Sequence, residues 1–174
     1  MAKGKKYFFE YRDIDEVLRT VEIFVEGFTG GSAEELTGAA ECVIVEKNKD
    51  VSQQYLGGIV ISKYKIRAFS SNTFKASLFT SQNYGDVIIR HKTGANIDFE
   101  GVLFPFESRD SDLPDGAFYT ELSAECGVNY LKTVDFEVSN TRVKVKDIIN
   151  SCLLKIPFIT SFGYKVIDNT KLSV

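Results

Sequence analysis

The sequence predicts a mainly β protein, an antiparallel β-barrel or sandwich with one amphipathic helix near the C-terminus. Three observations carry that expectation. Apolar and polar side chains alternate with period two over several short segments, the mark of strands buried on one face. The chain holds 14 Phe and 8 Tyr with no Trp, often placed beside Val and Ile, a mixture that strands favour. Turn residues separate these segments at hairpin spacing.

In chain order, the aromatic run 7–12 is followed by 18–26, where Val21, Ile23 and Val25 alternate with Glu22, Phe24 and Glu26. That pair has the pattern of a hairpin. Gly27, Gly30 and Gly31 break the rhythm, and residues 42–46 then form a short apolar run suited to burial on both faces. Beyond Ile59 and Ile61, Tyr64, Ile66 and Ala68 share one face of a strand while Lys65 and Arg67 share the other. Residues 70–81 lack that period and fit either a turn or two of helix or a surface loop. Val87, Ile89 and His91 next alternate with Ile88 and Arg90. The turn Thr93-Gly94-Ala95-Asn96 then sends the chain back through Ile97, Phe99, Gly101 and Leu103, a second hairpin. The polar segment 107–116, with Pro114 and Gly116, reads as a loop. Phe118, Thr120, Leu122 and Ala124 form one of the clearest alternating patterns.

The period changes only near the end. Val145, Ile148, Ile149, Cys152 and Leu153 fall at i, i+3, i+4, i+7 and i+8 and place one apolar stripe on a helix over about residues 143–155, stopped by Pro157. The whole is expected to be a single β-rich domain over 1–174, with its core at about 7–138 and a C-terminal extension at 156–174. No repeat of propeller or solenoid length is visible.

Composition bounds the function. With 174 residues, 44% hydrophobic and 26% charged, the chain is of ordinary globular character and long enough for a sizeable core. A net charge of −3 disfavours a protein whose task is to neutralise nucleic-acid phosphates. Cys42, Cys126 and Cys152 are widely spaced and odd in number, which suits reduced core residues rather than a disulfide framework or zinc site. The basic start runs into charged aromatic sequence without the apolar stretch of a signal peptide, and no segment is apolar for long enough to insert in a membrane.

The motifs that might carry chemistry are weak. Gly27-Phe28-Thr29-Gly30-Gly31-Ser32 lacks the Lys-Ser/Thr close of a phosphate loop. Asp110, Asp112 and Asp115 have calcium-loop density, but the third carboxylate comes one place late and Pro114 interrupts. His91 is the sole histidine, with no ligand-spaced partner and no nucleophile elbow. Lys63, Lys65 and Arg67, interleaved with Tyr64 and Phe69, read as cations protecting an edge strand rather than as a nucleic-acid face. The expectation is no catalytic residue, no cofactor and no metal.

Three segments together resemble a family of tail proteins of tailed phages and prophages, the hub-like or tail-tip baseplate components with an N-terminal β-barrel. The first is residues 8–13 with Val21-Glu22-Ile23, Gly27-Phe28-Thr29-Gly30 and Glu35-Leu36-Thr37-Gly38; the second is 96–105, with its Phe-x-Gly-x-Leu-x-Pro pattern. The third is 122–132, where Cys126-Gly127 replaces the family's usual Asp-Gly. The resemblance spans most of 7–155, and family members continue well beyond the helix. It implies a non-enzymatic structural subunit, a ring or adaptor of a virion tail or tail-like injection particle assembled in the bacterial cytoplasm. Its partners would be further copies of itself and neighbouring tail or baseplate proteins. Tyr55, Tyr64, Phe69, Phe104 and Phe106 are candidate subunit contacts, with core packing as the other account of most of them. An alternative function is a monomeric β-barrel that binds a small apolar ligand among its Phe and Tyr side chains.

Overall fold

A computed structural model describes residues 3–48, 61–70, 85–114, 116–126, 147, 151–152 and 154–156. They form nine strands: β1 (Lys3–Arg12), β2 (Leu18–Glu26), β3 (Glu34–Glu35), β4 (Thr37–Asn48), β5 (Ile61–Ser70), β6 (Val87–Thr93), β7 (Asn96–Leu103), β8 (Arg109–Asp112) and β9 (Phe118–Cys126). A single sheet in the order β3-β1-β2-β6-β7-β9-β5-β4, with β8 also on β9, curls into a nearly closed barrel. All pairs are antiparallel except β1 with β3, which is parallel. Of the two expected architectures, barrel or sandwich, the nearly closed sheet is the barrel, and it is mixed rather than purely antiparallel.

Near-closure comes from one stretch of chain that changes partner. Glu34 and Glu35 pair with Tyr7 and Phe8 of β1, the Leu36 amide donates to the Phe8 carbonyl at 2.8 Å, and Thr37 then pairs with Phe69 of β5. Leu36, between the two partners, is buried in the interior. Just beyond it a Cβ on Gly38 would lie 3.2 Å from the Phe9 ring, so a glycine lets β4 pass close over β1. A second partner change occurs along β9, whose one edge takes β7 at Ala124–Cys126 and β8 at Phe118–Glu121. Between them a 3-10 turn, Pro105–Glu107, interrupts the ladder. Ser108 fills the gap: its hydroxyl donates to the Phe104 carbonyl at 3.0 Å and accepts from the Ser123 amide at 3.3 Å.

Alternation decides what lies inside. Tyr7 and Phe9, Val21, Ile23 and Val25, Tyr64, Ile66 and Ala68, Val87 and Ile89, Phe99 and Leu103, and Leu122 and Ala124 form one buried cluster. Side chains of intervening residues form charge ladders. Glu22, Arg90 and Glu100 follow one another across β2, β6 and β7, with Arg90 Nη2 2.6 Å from Glu100. Glu22, itself buried, meets Lys5 at 3.3 Å and Lys92 at 3.6 Å.

Several expectations need correction. Residues 42–46 are not buried on both faces: Cys42 is buried, but Val45 is 42% exposed on a strand that borders the barrel seam. The polar segment 107–116 is not all loop, because 109–112 is β8, held by pairing with β9. Ile97 does not continue the inward face of Phe99; a register shift between His91 and Lys92 leaves Asp98 as an extra residue and turns Ile97 outward. Lys63, Lys65 and Arg67 do not guard an edge, since β5 lies between β4 and β9, and each faces a cross-strand or neighbouring glutamate. The period-less stretch 71–81, Ile59 and Tyr55 lie outside the described residues, as do 143–146, 148–150 and 153 of the helix expected over 143–155 and all of 157–174.

Candidate functional site

At the barrel end where β1 turns into β2 and β6 into β7, the interior changes from aliphatic to aromatic and polar. The alternation of β1 carries Tyr11 onto the same face as Phe9. Register sets His91 opposite both Val21 on β2 and Phe99 on β7. Tyr64 arrives from β5, on the far side of β7 and β9. The four side chains meet: Tyr11 Oη and His91 Nε2 are 2.9 Å apart, the Tyr64 ring lies 5.9 Å from that of His91, and Tyr64 stacks on Phe99 with centroids 3.7 Å apart.

His91 is only 7% exposed, and its Nδ1 has no hydrogen-bond partner among the described residues. Burial lowers its pKa below the usual histidine value, an effect that outweighs the pull of the Asp98 carboxylate. Burial also pushes the Tyr11 phenol up to about 12 and raises those of Tyr64 and Cys42. At neutral pH all four are uncharged, so neither the phenols nor the Cys42 thiol is an activated nucleophile.

A charged layer closes over this cluster. Arg19 stands between two hairpin turns, with Nε 2.8 Å from Asp13 Oδ2 and Nη1 3.0 Å from Asp98 Oδ2, and it also donates to the Thr93 hydroxyl. The bulge at Asp98 aims its carboxylate at Arg19. The other oxygen of Asp13 accepts the amides of Asp15 and Val17, each at 3.0 Å, which fixes the β1–β2 turn. Glu16 in that turn adopts a left-handed φ of 59°. The arginine hydrogen bond holds the Asp13 carboxyl below its ordinary pKa. Outside the layer, Ile14 is 97% exposed, and Leu18 and Ile97 about half exposed.

Of the expected subunit contacts only Tyr64 joins this cluster; Phe69, Phe104 and Phe106 do not. Tyr64 and Phe104 are buried within the chain, which core packing accounts for. Phe69 is half-buried with its ring 5.7 Å from that of Tyr119, and Phe106 projects from the 3-10 turn at 72% exposure. Asp110 accepts a hydrogen bond from Thr120 at 2.8 Å, and no metal-holding group of acidic, His or Cys residues exists among the described residues. Among the described residues, a solvent-open cleft of about 280 Å³ lies at the β3–β4 corner, lined by Leu36 and Phe69 with Glu34 and Glu35. No family model, curated protein or solved structure matches the chain.

Proposed function

We propose that the protein is a non-enzymatic assembly subunit, a filled β-barrel that works through contacts with other polypeptides. The observation that carries this reading is the contrast between a solid interior and a rigid, apolar-tipped end. Inside, Phe9, Val21, Ile23, Ile66, Ile89 and Leu122 are almost wholly buried against one another. A Cβ on Gly101 would come within 2.4 Å of the Phe99 ring, so the barrel is occupied by its own side chains. That packing supports a scaffold over the alternative of a vessel for a small apolar ligand, which needs a cavity. Outside, Ile14 on the β1–β2 turn and Leu18 and Ile97 at the start of β2 and β7 stand at the end that Arg19 fastens together. Large apolar side chains held out at an ordered hairpin end are suited to burial against a partner.

The narrower reading, a ring or adaptor subunit of a phage tail or tail-like particle in contact with further copies and with neighbouring tail or baseplate proteins, is supported by the resemblance of the three sequence segments. Light scattering on the purified chain tests the broader claim. A discrete mass well above 19.5 kDa at micromolar concentration is the expected result. A monomer at every concentration, together with a small apolar molecule retained in native mass spectrometry, overturns it in favour of the ligand-binding barrel.

A further inference from the structure

His91 occupies a position that tolerates only one of its two charge states. Neutral imidazole has one N–H donor and one bare acceptor nitrogen; with the N–H on Nε2 it donates to the Tyr11 hydroxyl at 2.9 Å and leaves Nδ1 as an unmet acceptor, the cheaper group to bury unpaired. Imidazolium carries two N–H donors, and Nδ1 faces no acceptor. Among the described residues, the groups around the ring do not supply one. From β1 come Tyr11 and, beyond it, Asp13; from β2, Arg19; from β5, Tyr64; and from β7, Phe99 and Asp98, while Cys42 of β4 acts on Tyr11 and Thr93 of β6 bonds Arg19 and Asp98 in the layer above. β9 turns its uncharged Leu122 and Ala124 to the same interior. The two carboxylates are engaged by Arg19, whose own positive charge opposes a second cation beneath it.

We infer that His91 is a proton-operated latch for this end of the barrel: protonation places an unpaired N–H and a net charge under the Arg19 layer, and the β1–β2 and β6–β7 turns open to let water reach the imidazolium. The turns are the elements that yield because they form the outermost layer over His91. Beyond the last ladder pairs, Arg12 with Leu18, Arg19 with Thr93 and Thr93 with Asn96, the turns are tied to each other by the side chain of Arg19 and its two aspartates. Opening them uncovers Tyr11, Tyr64 and Phe99 and displaces Ile14, Leu18 and Ile97, so acidification changes the shape and polarity of the very surface on which the apolar tips stand.

The sign follows from linkage. Imidazole in the open form titrates at its ordinary pKa of about 6.5, and in the closed form below it, so protons favour the open form as pH falls through 6.5. Tyr11, Tyr64 and Cys42, all raised, stay neutral in this range. Asp13, Glu26, Glu46 and Glu121, all lowered, stay ionised until below about pH 4.5.

Hydrogen exchange followed by mass spectrometry on the full chain at pH 7 and pH 5, corrected for the intrinsic pH dependence of exchange, tests the latch. Amides of 11–20 and 92–99 are expected to exchange about tenfold faster at pH 5 while Ile23, Ile66 and Leu122 hold their protection. In His91→Phe, which cannot titrate, the acid effect should vanish. Equal protection at both pH values in the wild type, or an acid effect that survives His91→Phe, overturns the inference. Should that variant fail to fold, the ring resonances of the sole histidine decide the matter in the wild type. A titration midpoint below 6.5 that moves together with the amide shifts of Tyr11 and Phe99 supports the latch, and a midpoint at or above 6.5 overturns it.

Discussion

Tyr64 lies flat on Phe99, ring centroids 3.7 Å apart and planes within 16° of parallel, although the two come from strands β5 and β7 that flank β9 on opposite sides. The stack bridges over β9, and its Tyr64 ring also meets that of His91 at a tilt, centroids 5.9 Å apart. Phe99→Ala removes one ring of that stack and leaves a void that neither β7 nor β5 can close without bending. We expect a loss of about 3–5 kcal/mol in urea unfolding. Tyr64→Phe keeps the ring and should cost less than about 1.5 kcal/mol. Equal losses in the two variants would mean that the stack contributes little.

Gly101 is a sharper test of how completely the interior is filled. A Cβ there would meet Phe99 Cζ at 2.4 Å and the Glu125 carbonyl oxygen at 2.5 Å, and the second of these is backbone that cannot rotate away. Gly101→Ala is expected to lower stability by about 1–3 kcal/mol or to abolish soluble expression. Gly30→Ala, where nothing lies within 4 Å, serves as its control and should unfold at nearly the wild-type midpoint. A spacious, ligand-holding interior would instead accept the new methyl group at Gly101.

Period-two alternation made β2, β6, β7 and β9 legible because each presents one face to the interior; for β2 even the limits at Leu18 and Glu26 follow from it. What escaped was whatever depends on partners. β8 is composed of Arg109, Asp110, Ser111 and Asp112, residues of a loop, and becomes a strand only because Glu121 and Thr120 across from it bind Arg109 and Asp110. Lys63, Lys65 and Arg67 looked like protection for an edge because their glutamate partners lie on other strands, from Glu41 and Glu46 to Glu121 and Glu125. The candidate site was hidden for the same reason. Tyr11 and His91 stand 80 residues apart, and no spacing rule joins them until the strand order is known.

Arg19 joins two turns that are distant in sequence, and its removal should loosen both at once. In Arg19→Leu the ties to Asp13 and Asp98 go together, while the buried cluster from Phe9 to Leu122 is untouched. The expected result is faster hydrogen exchange confined to 12–20 and 92–98, with the global unfolding midpoint little changed, since exposed ion pairs contribute modestly to stability. Loosening of the β1–β2 turn alone would show that Asp98 is not held through Arg19.

Glu121 supplies the acid sensitivity expected at lower pH than that of His91. It sits between two arginines on neighbouring strands, Arg67 Nε at 2.8 Å from one oxygen and Arg109 Nη2 at 2.8 Å from the other, and is itself nearly buried. These hydrogen bonds, Arg67's first, hold its carboxyl below the ordinary glutamate pKa. A carboxyl so lowered binds protons more readily in the unfolded chain, so its contribution is fully present above about pH 4.5 and fades as pH falls through the folded value. Glu121→Gln keeps the shape and removes the charge. At pH 7 the variant should be about 1–2 kcal/mol less stable than the wild type, and at pH 3 the gap should narrow as the wild-type carboxyl is itself protonated. Urea unfolding at the two pH values measures both quantities, and a gap that stays constant would show that the arginines hold Glu121 by shape rather than by charge.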